Sequence, residues 1–112
     1  MYIDEYIKKV FTYYPNVVGS WGIEACSPIY ECEEGEGGLS IMVNGFKHHG
    51  EVRIVLNWMD LFDITLVNPD GSIKRQIKGV YVDSLVMVID NAIERVSDYE
   101  KKVKQTYFLK AS

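Results

Sequence analysis

Between Glu51 and Tyr81 three short runs alternate side chains of the two faces, and this alternation points to an antiparallel sheet with one face to cover. Val52, Ile54 and Leu56 alternate with Arg53, Val55 and Asn57; Phe62, Ile64 and Leu66 alternate with Asp63, Thr65 and Val67. Asn68-Pro69-Asp70-Gly71 then supplies a turn, with Pro presetting φ and Asp or Gly accepting the left-handed position. Ile73, Arg75 and Ile77 against Lys74, Gln76 and Lys78 give the return strand. The uncovered face is expected to carry Arg53, Asp63, Thr65, Lys74, Gln76 and Lys78.

Two stretches with a helical period flank this region. Ile3, Tyr6, Ile7, Val10, Phe11 and Tyr14 recur at spacings of three and four, and Pro15 is expected to end that helix. Leu85, Val86, Ile89, Ala92, Ile93, Val96, Tyr99 and Val103 form an apolar stripe over a second helix, from about Asp83 to Val103. Between the first helix and the meander, the period predicts a strand from Trp21 to about Cys26, an edge strand from Ile29 to Glu34 and a strand from Leu39 to Phe46. Asn44-Gly45 is a possible tight turn within the last of these. Two amphipathic helices and a half-apolar sheet bury one another when both helices cover the same face. The expected fold is α+β, a two-layer sandwich of a four- or five-stranded antiparallel sheet with the N- and C-terminal helices on one face, forming a single domain over residues 1–112.

A hydrophobic content of 47 % is enough for a core that requires neither disulfides nor a metal, so no cofactor is called for. The net charge of −4 disfavours direct nucleic-acid binding, since cationic side chains supply most of that affinity. No run approaches the length of a membrane span, and the opening Met1-Tyr2-Ile3-Asp4-Glu5 lacks the basic-then-apolar layout of an export signal. With only two cysteines, a reducing, cytoplasmic setting is the simpler expectation.

Several groups have the elements of a functional site. Cys26, Cys32, His48 and His49 supply the donor types of a zinc tetrahedron. Five residues separate the thiols, however, and adjacent histidines in a strand point to opposite faces, so no metal site is expected there. The reading preferred for these residues is two buried or half-buried thiols and a polar hairpin tip at His48-His49-Gly50-Glu51. A Cys/His nucleophilic pair needs a lowered thiol pKa, whereas Glu24, Glu31, Glu33 and Glu34 oppose thiolate formation. Asp60 and Asp63 are an acid/base pair on paper, with a turn role as the more ordinary reading. Gly35, Gly37 and Gly38 lie in an acidic context that repels phosphate and are read as flexibility within a Glu33–Gly38 loop.

Two features remain as candidate binding surfaces. Glu24, Glu31, Glu33, Glu34 and Glu36 fall within 13 residues without an intervening Lys or Arg, a composition suited to a cation, a basic partner or imitation of a nucleic-acid backbone. Tyr107, Phe108 and Leu109 are consecutive large apolar residues, expected to dock on the domain or on a second copy of the chain.

The run Leu56-Asn57-Trp58-Met59-Asp60-Leu61-Phe62-Asp63-Ile64, with Gly79-Val80-Tyr81-Val82-Asp83-Ser84-Leu85, resembles small uncharacterised proteins carried by bacterial mobile elements and phages. The resemblance spans about a third of the sequence, transfers no functional residue, and implies a small accessory protein that acts by binding. The expected function is therefore a non-catalytic interaction module with an unidentified protein partner, working as a homo-oligomer, through the open sheet face, Glu31, Glu33, Glu34 and Glu36, or Tyr107, Phe108 and Leu109. The alternative is an acidic inhibitor that imitates nucleic acid toward a DNA- or RNA-handling protein. A small metal-dependent or thiol enzyme comes third.

Overall fold

A computed structural model describes residues 2–45 and 47–93. The chain begins with α1 (Ile3–Phe11) and α2 (Pro15–Gly19) and continues through five strands: β1 (Ala25–Ile29), β2 (Gly35–Asn44), β3 (His49–Asn57), β4 (Phe62–Val67) and β5 (Ile73–Val80). A 3-10 turn at Val82–Ser84 leads into α3 (Leu85–Ile93). The strands lie in the order in which they occur, each antiparallel to the next, so the sheet is a simple meander with β1 and β5 at its edges. This is the expected α+β arrangement of an antiparallel sheet with helices from the N- and C-terminal regions.

The alternation of the sequence sets which face is covered. Leu39, Ile41 and Val43 of β2, Val52 and Ile54 of β3, and Phe62, Ile64 and Leu66 of β4 all point to the helical side and are buried. Ile7 and Phe11 of α1 and Leu85, Val86, Ile89, Ala92 and Ile93 of α3 complete the same cluster. Burying each large aliphatic or aromatic side chain contributes about 1.5–3 kcal/mol, which is why stripe and sheet face find each other. Tyr6 stacks on Phe62 with ring centroids 6.3 Å apart, tying α1 to the start of β4.

Trp21 lies at the bottom of this core, fully buried, with its ring edge-on to Phe11 at 5.3 Å. Its indole Nε1–H donates to Asp90 Oδ1 at 3.0 Å, so one side chain links the α2–β1 connection to α3. The sequence reading placed Trp21 in a strand, but β1 starts only at Ala25. α1 stops at Phe11 with Thr12 as its C-cap, short of the Pro15 expected to end it; Pro15 instead opens a further helix, α2, because its fixed φ suits a first helical position. The single strand of Ala25–Ile29 replaces the two expected, and Pro28 sits within it, as an edge strand permits.

The uncovered face is organised in rows across the strands. Ser27, Ser40, Arg53, Thr65 and Gln76 are register partners in one row; Ala25, Met42, Glu51, Val67 and Ile73 form the next. Ser40 Oγ donates to Glu51 Oε2 at 2.5 Å, Arg53 Nη1 lies 3.4 Å from the same oxygen, and Gln76 Nε2 donates to Thr65 Oγ1 at 3.2 Å. Lys74 departs from the face expected of it. The register of β5 shifts between Ile73 and Arg75, and the Lys74 ammonium donates instead to the Lys47 carbonyl.

Candidate functional site

The acidic segment is not a flexible loop. Residues 30–34 form a tight connection closed by the Cys32 N–H to Gly35 carbonyl bond (3.0 Å) and its return partner (3.3 Å). Gly35, Gly37 and Gly38 already belong to β2 and are buried against neighbouring backbone. They are glycines because the backbones of β1 and β3 occupy the space a side chain would fill: a Cβ on Gly37 would stand 2.6 Å from the Ile29 carbonyl oxygen. Trp58 ties this connection to the β3–β4 turn through its Nε1–H, which donates to the Glu33 carbonyl at 3.0 Å.

Held in this way, the end of β1 and the start of α1 enclose a groove of about 340 Å³ lined by Tyr2, Asp4, Pro28, Tyr30, Glu31 and Glu36, with Ile3 and Ile29 beneath. Tyr2 is 70 % and Tyr30 73 % exposed, so two phenol rings stand at the groove without a covering group among the described residues. Three carboxylates accompany them and no Lys or Arg lines the groove. Of the three, Asp4 lies 3.8 Å from Lys8 one turn along α1. The groove adjoins the outer edge of β1, beyond which no strand lies among the described residues. Such a place can take a cation between aromatic faces and carboxylates, and main-chain hydrogen bonds along the edge.

Of the residues singled out in the sequence, Glu31 and Glu36 line this groove, whereas Glu33 and Glu34 are exposed in the connection. Tyr2, Asp4 and Tyr30 were missed; a tyrosine beside Glu31 at the end of an edge strand was the available signal. Tyr107, Phe108 and Leu109 lie outside the described residues.

The four candidate metal ligands do not converge. Cys26 is exposed on β1, opposite Ile41, and Cys32 is half-buried in the connection. His49 Nδ1 is 3.0 Å from Asn44 Oδ1. Among the described residues no group of three or more His, Cys, Asp or Glu side chains is placed to hold a metal ion. The expected polar hairpin tip is also corrected at His48, which is 1 % exposed. Its Nε2 lies 2.9 Å from the Glu51 carbonyl, to which it donates, while the buried Nδ1 has no hydrogen-bond partner. Burial pushes the His48 pKa below its ordinary 6.5; the Lys74 and His49 charges add to this, and the Glu51 and Val67 carbonyls oppose it. Asp60 builds the turn expected of it, whereas Asp63 lies in β4 and braces its neighbours. Asp60 adopts φ +62° between β3 and β4, and Asp63 Oδ1 accepts from Asn57 Nδ2 (3.0 Å) and the Gly79 amide (3.1 Å).

No family model, curated protein or solved structure matches this chain. Among the described residues no helix is long and apolar enough to cross a membrane.

Proposed function

We propose that this chain is a non-catalytic binding module whose β1 edge receives an extended, basic segment of a partner protein. The observation that carries the reading is the groove at the end of β1, where Tyr2 and Tyr30 stand exposed beside Asp4, Glu31 and Glu36. An extended segment laid against Ala25–Ile29 gains main-chain hydrogen bonds from the unpaired edge, and its Lys or Arg side chain enters the groove. Pro28 has no N–H to offer, which limits the number of such bonds and places more of the selectivity on the groove.

A second reading is favoured by Glu33 and Glu34, exposed beyond the groove: the acidic end imitates a nucleic-acid backbone toward a basic channel. The two readings differ in whether the backbone edge takes part.

A fluorescently labelled eight-residue peptide alternating Arg and Val is the first probe, read by anisotropy against an alternating Glu and Val control. The basic peptide is expected to bind more weakly as salt rises, and the acidic one not to bind. The double substitution Glu31→Lys, Glu36→Lys should weaken binding about tenfold or more, and Tyr30→Ala about threefold, the loss of one exposed cation–π contact. N-methylation of alternate peptide amides separates the readings, since it removes strand addition and leaves charge attraction intact. Equal binding of both peptides, or indifference to the charge reversal, would overturn the proposal.

A further inference from the structure

Lys47 joins three elements at the end of the β2–β3 hairpin. Its main-chain N–H donates to the Ile93 carbonyl at 2.9 Å, and its ammonium donates to the Asn91 carbonyl at 2.7 Å, both in α3. Its own carbonyl accepts from the Lys74 ammonium of β5. The next residue is His48, buried beside Gly50, where an added Cβ would stand 3.4 Å from the ring but only 2.4 Å from the Val67 carbonyl oxygen. Its Nδ1 is enclosed without a partner, so the site is built for a neutral imidazole.

We propose that His48 is a proton-operated latch: its protonation in mildly acidic solution opens the Lys47 junction and frees the α3 end from the hairpin. A proton on Nδ1 would be a buried donor without a hydrogen-bond partner, a costly arrangement that the Val67 carbonyl near the ring offsets only in part. The ring would also become a cation facing Lys74 from β5 and His49 from β3, with Lys47 adjacent in the chain. No carboxylate among the described residues compensates for it. The Glu51 carboxylate is occupied on the opposite sheet face by Ser40 and Arg53, and α3's Asp90 is bonded by the Trp21 indole. Relief comes from water, admitted when Lys47 and Lys74 separate from the carbonyls they hold.

The pH dependence has a definite sign. A histidine whose folded pKa is depressed binds its proton more readily once the site opens, so opening is promoted as pH falls below about 6.5 and levels off below the folded value.

Amide hydrogen exchange followed by NMR tests this in the intact chain. The protection factor of the Lys47 amide, corrected for intrinsic exchange, is expected to fall about tenfold or more between about pH 7.5 and about pH 5. That of Ile54, in the centre of the sheet, should change much less. In His48→Gln the Lys47 protection should become insensitive to pH over the same range. An equal fall at Lys47 and Ile54 would indicate global acid unfolding and overturn the latch, as would the same pH response in His48→Gln or no response in the wild type. Should His48→Gln fail to fold, the ring nitrogens of wild-type His48 are titrated instead. A midpoint coincident with the loss of Lys47 protection supports the latch, and a separate midpoint overturns it.

Discussion

Trp21→Ala is expected to lower the free energy of unfolding by about 4 kcal/mol, the middle of the range for removing a fully buried large aromatic side chain. The substitution removes the edge-on contact with Phe11, leaves a cavity between α1 and α3, and deletes the indole N–H that Asp90 accepts. For a domain of this length the loss corresponds to a fall in Tm of roughly 15–25 °C. Urea titration of both proteins measures it directly, provided the slope with denaturant is unchanged. Trp21→Phe retains most of the apolar volume and should cost markedly less. A loss under about 1.5 kcal/mol for the alanine variant would mean that the core closes without Trp21, contrary to its burial among three helices.

Gly38→Ala is expected to be nearly as damaging, by about 3 kcal/mol, although the added group is a single methyl. Gly38 pairs with Ile29 on one side and Val55 on the other, and a Cβ there would overlap the Ile54 carbonyl oxygen. The obstacle is backbone, which has no rotamer into which it can withdraw. β2 and β3 must separate or slip, and the connection that carries Glu31 and Tyr30 moves with them. The variant should therefore lose affinity for a basic peptide in proportion to the disturbance of that groove. Gly19→Ala is the control: a Cβ there meets nothing within 4 Å, and its effect should stay within about 0.5 kcal/mol. Equal stability of the two variants would show that β2 and β3 lie further apart at Gly38 than the geometry requires.

Both substitutions act at places where pattern reading stops. Trp21 fits the alternation of Trp21, Ile23 and Ala25, and nothing local distinguishes a strand residue from one that enters the core from an irregular segment. Tertiary burial decided it, because an indole with a partner at Asp90, 69 residues away, outweighs local preference. The glycines of the Glu-rich segment failed for a related reason. In sequence, Gly35, Gly37 and Gly38 signal flexibility, whereas the same absence of a side chain permits close approach of adjacent strands. His48 is the third case. Beside His49, Gly50 and Glu51 it reads as polar and exposed, but its burial depends on α3 and β5 reaching the hairpin end through Lys47.

The candidate groove was half legible. Glu31 and Glu36 stand out in sequence as part of an unbroken acidic run. Their partnership with Tyr2 and Asp4 is not visible there, because it arises only when α1 is laid beside the end of β1. Charge is a property of composition, whereas enclosure requires two distant segments to share a wall.

By itself the sequence determined the class of fold, the strands β3, β4 and β5, and the apolar faces of α1 and of Leu85–Ile93, the remainder of the second stripe to Val103 lying outside the described residues. Those follow from periodicities of about two and 3.6 residues, which each segment carries without reference to the rest. Only the tertiary structure decided the register shift that turns Lys74 toward Lys47, the burial of Trp21 and His48, and the meeting of Tyr2 with Tyr30 at the β1 edge. Each of these depends on the distance between atoms far apart in the chain, and a one-dimensional pattern holds no such distance.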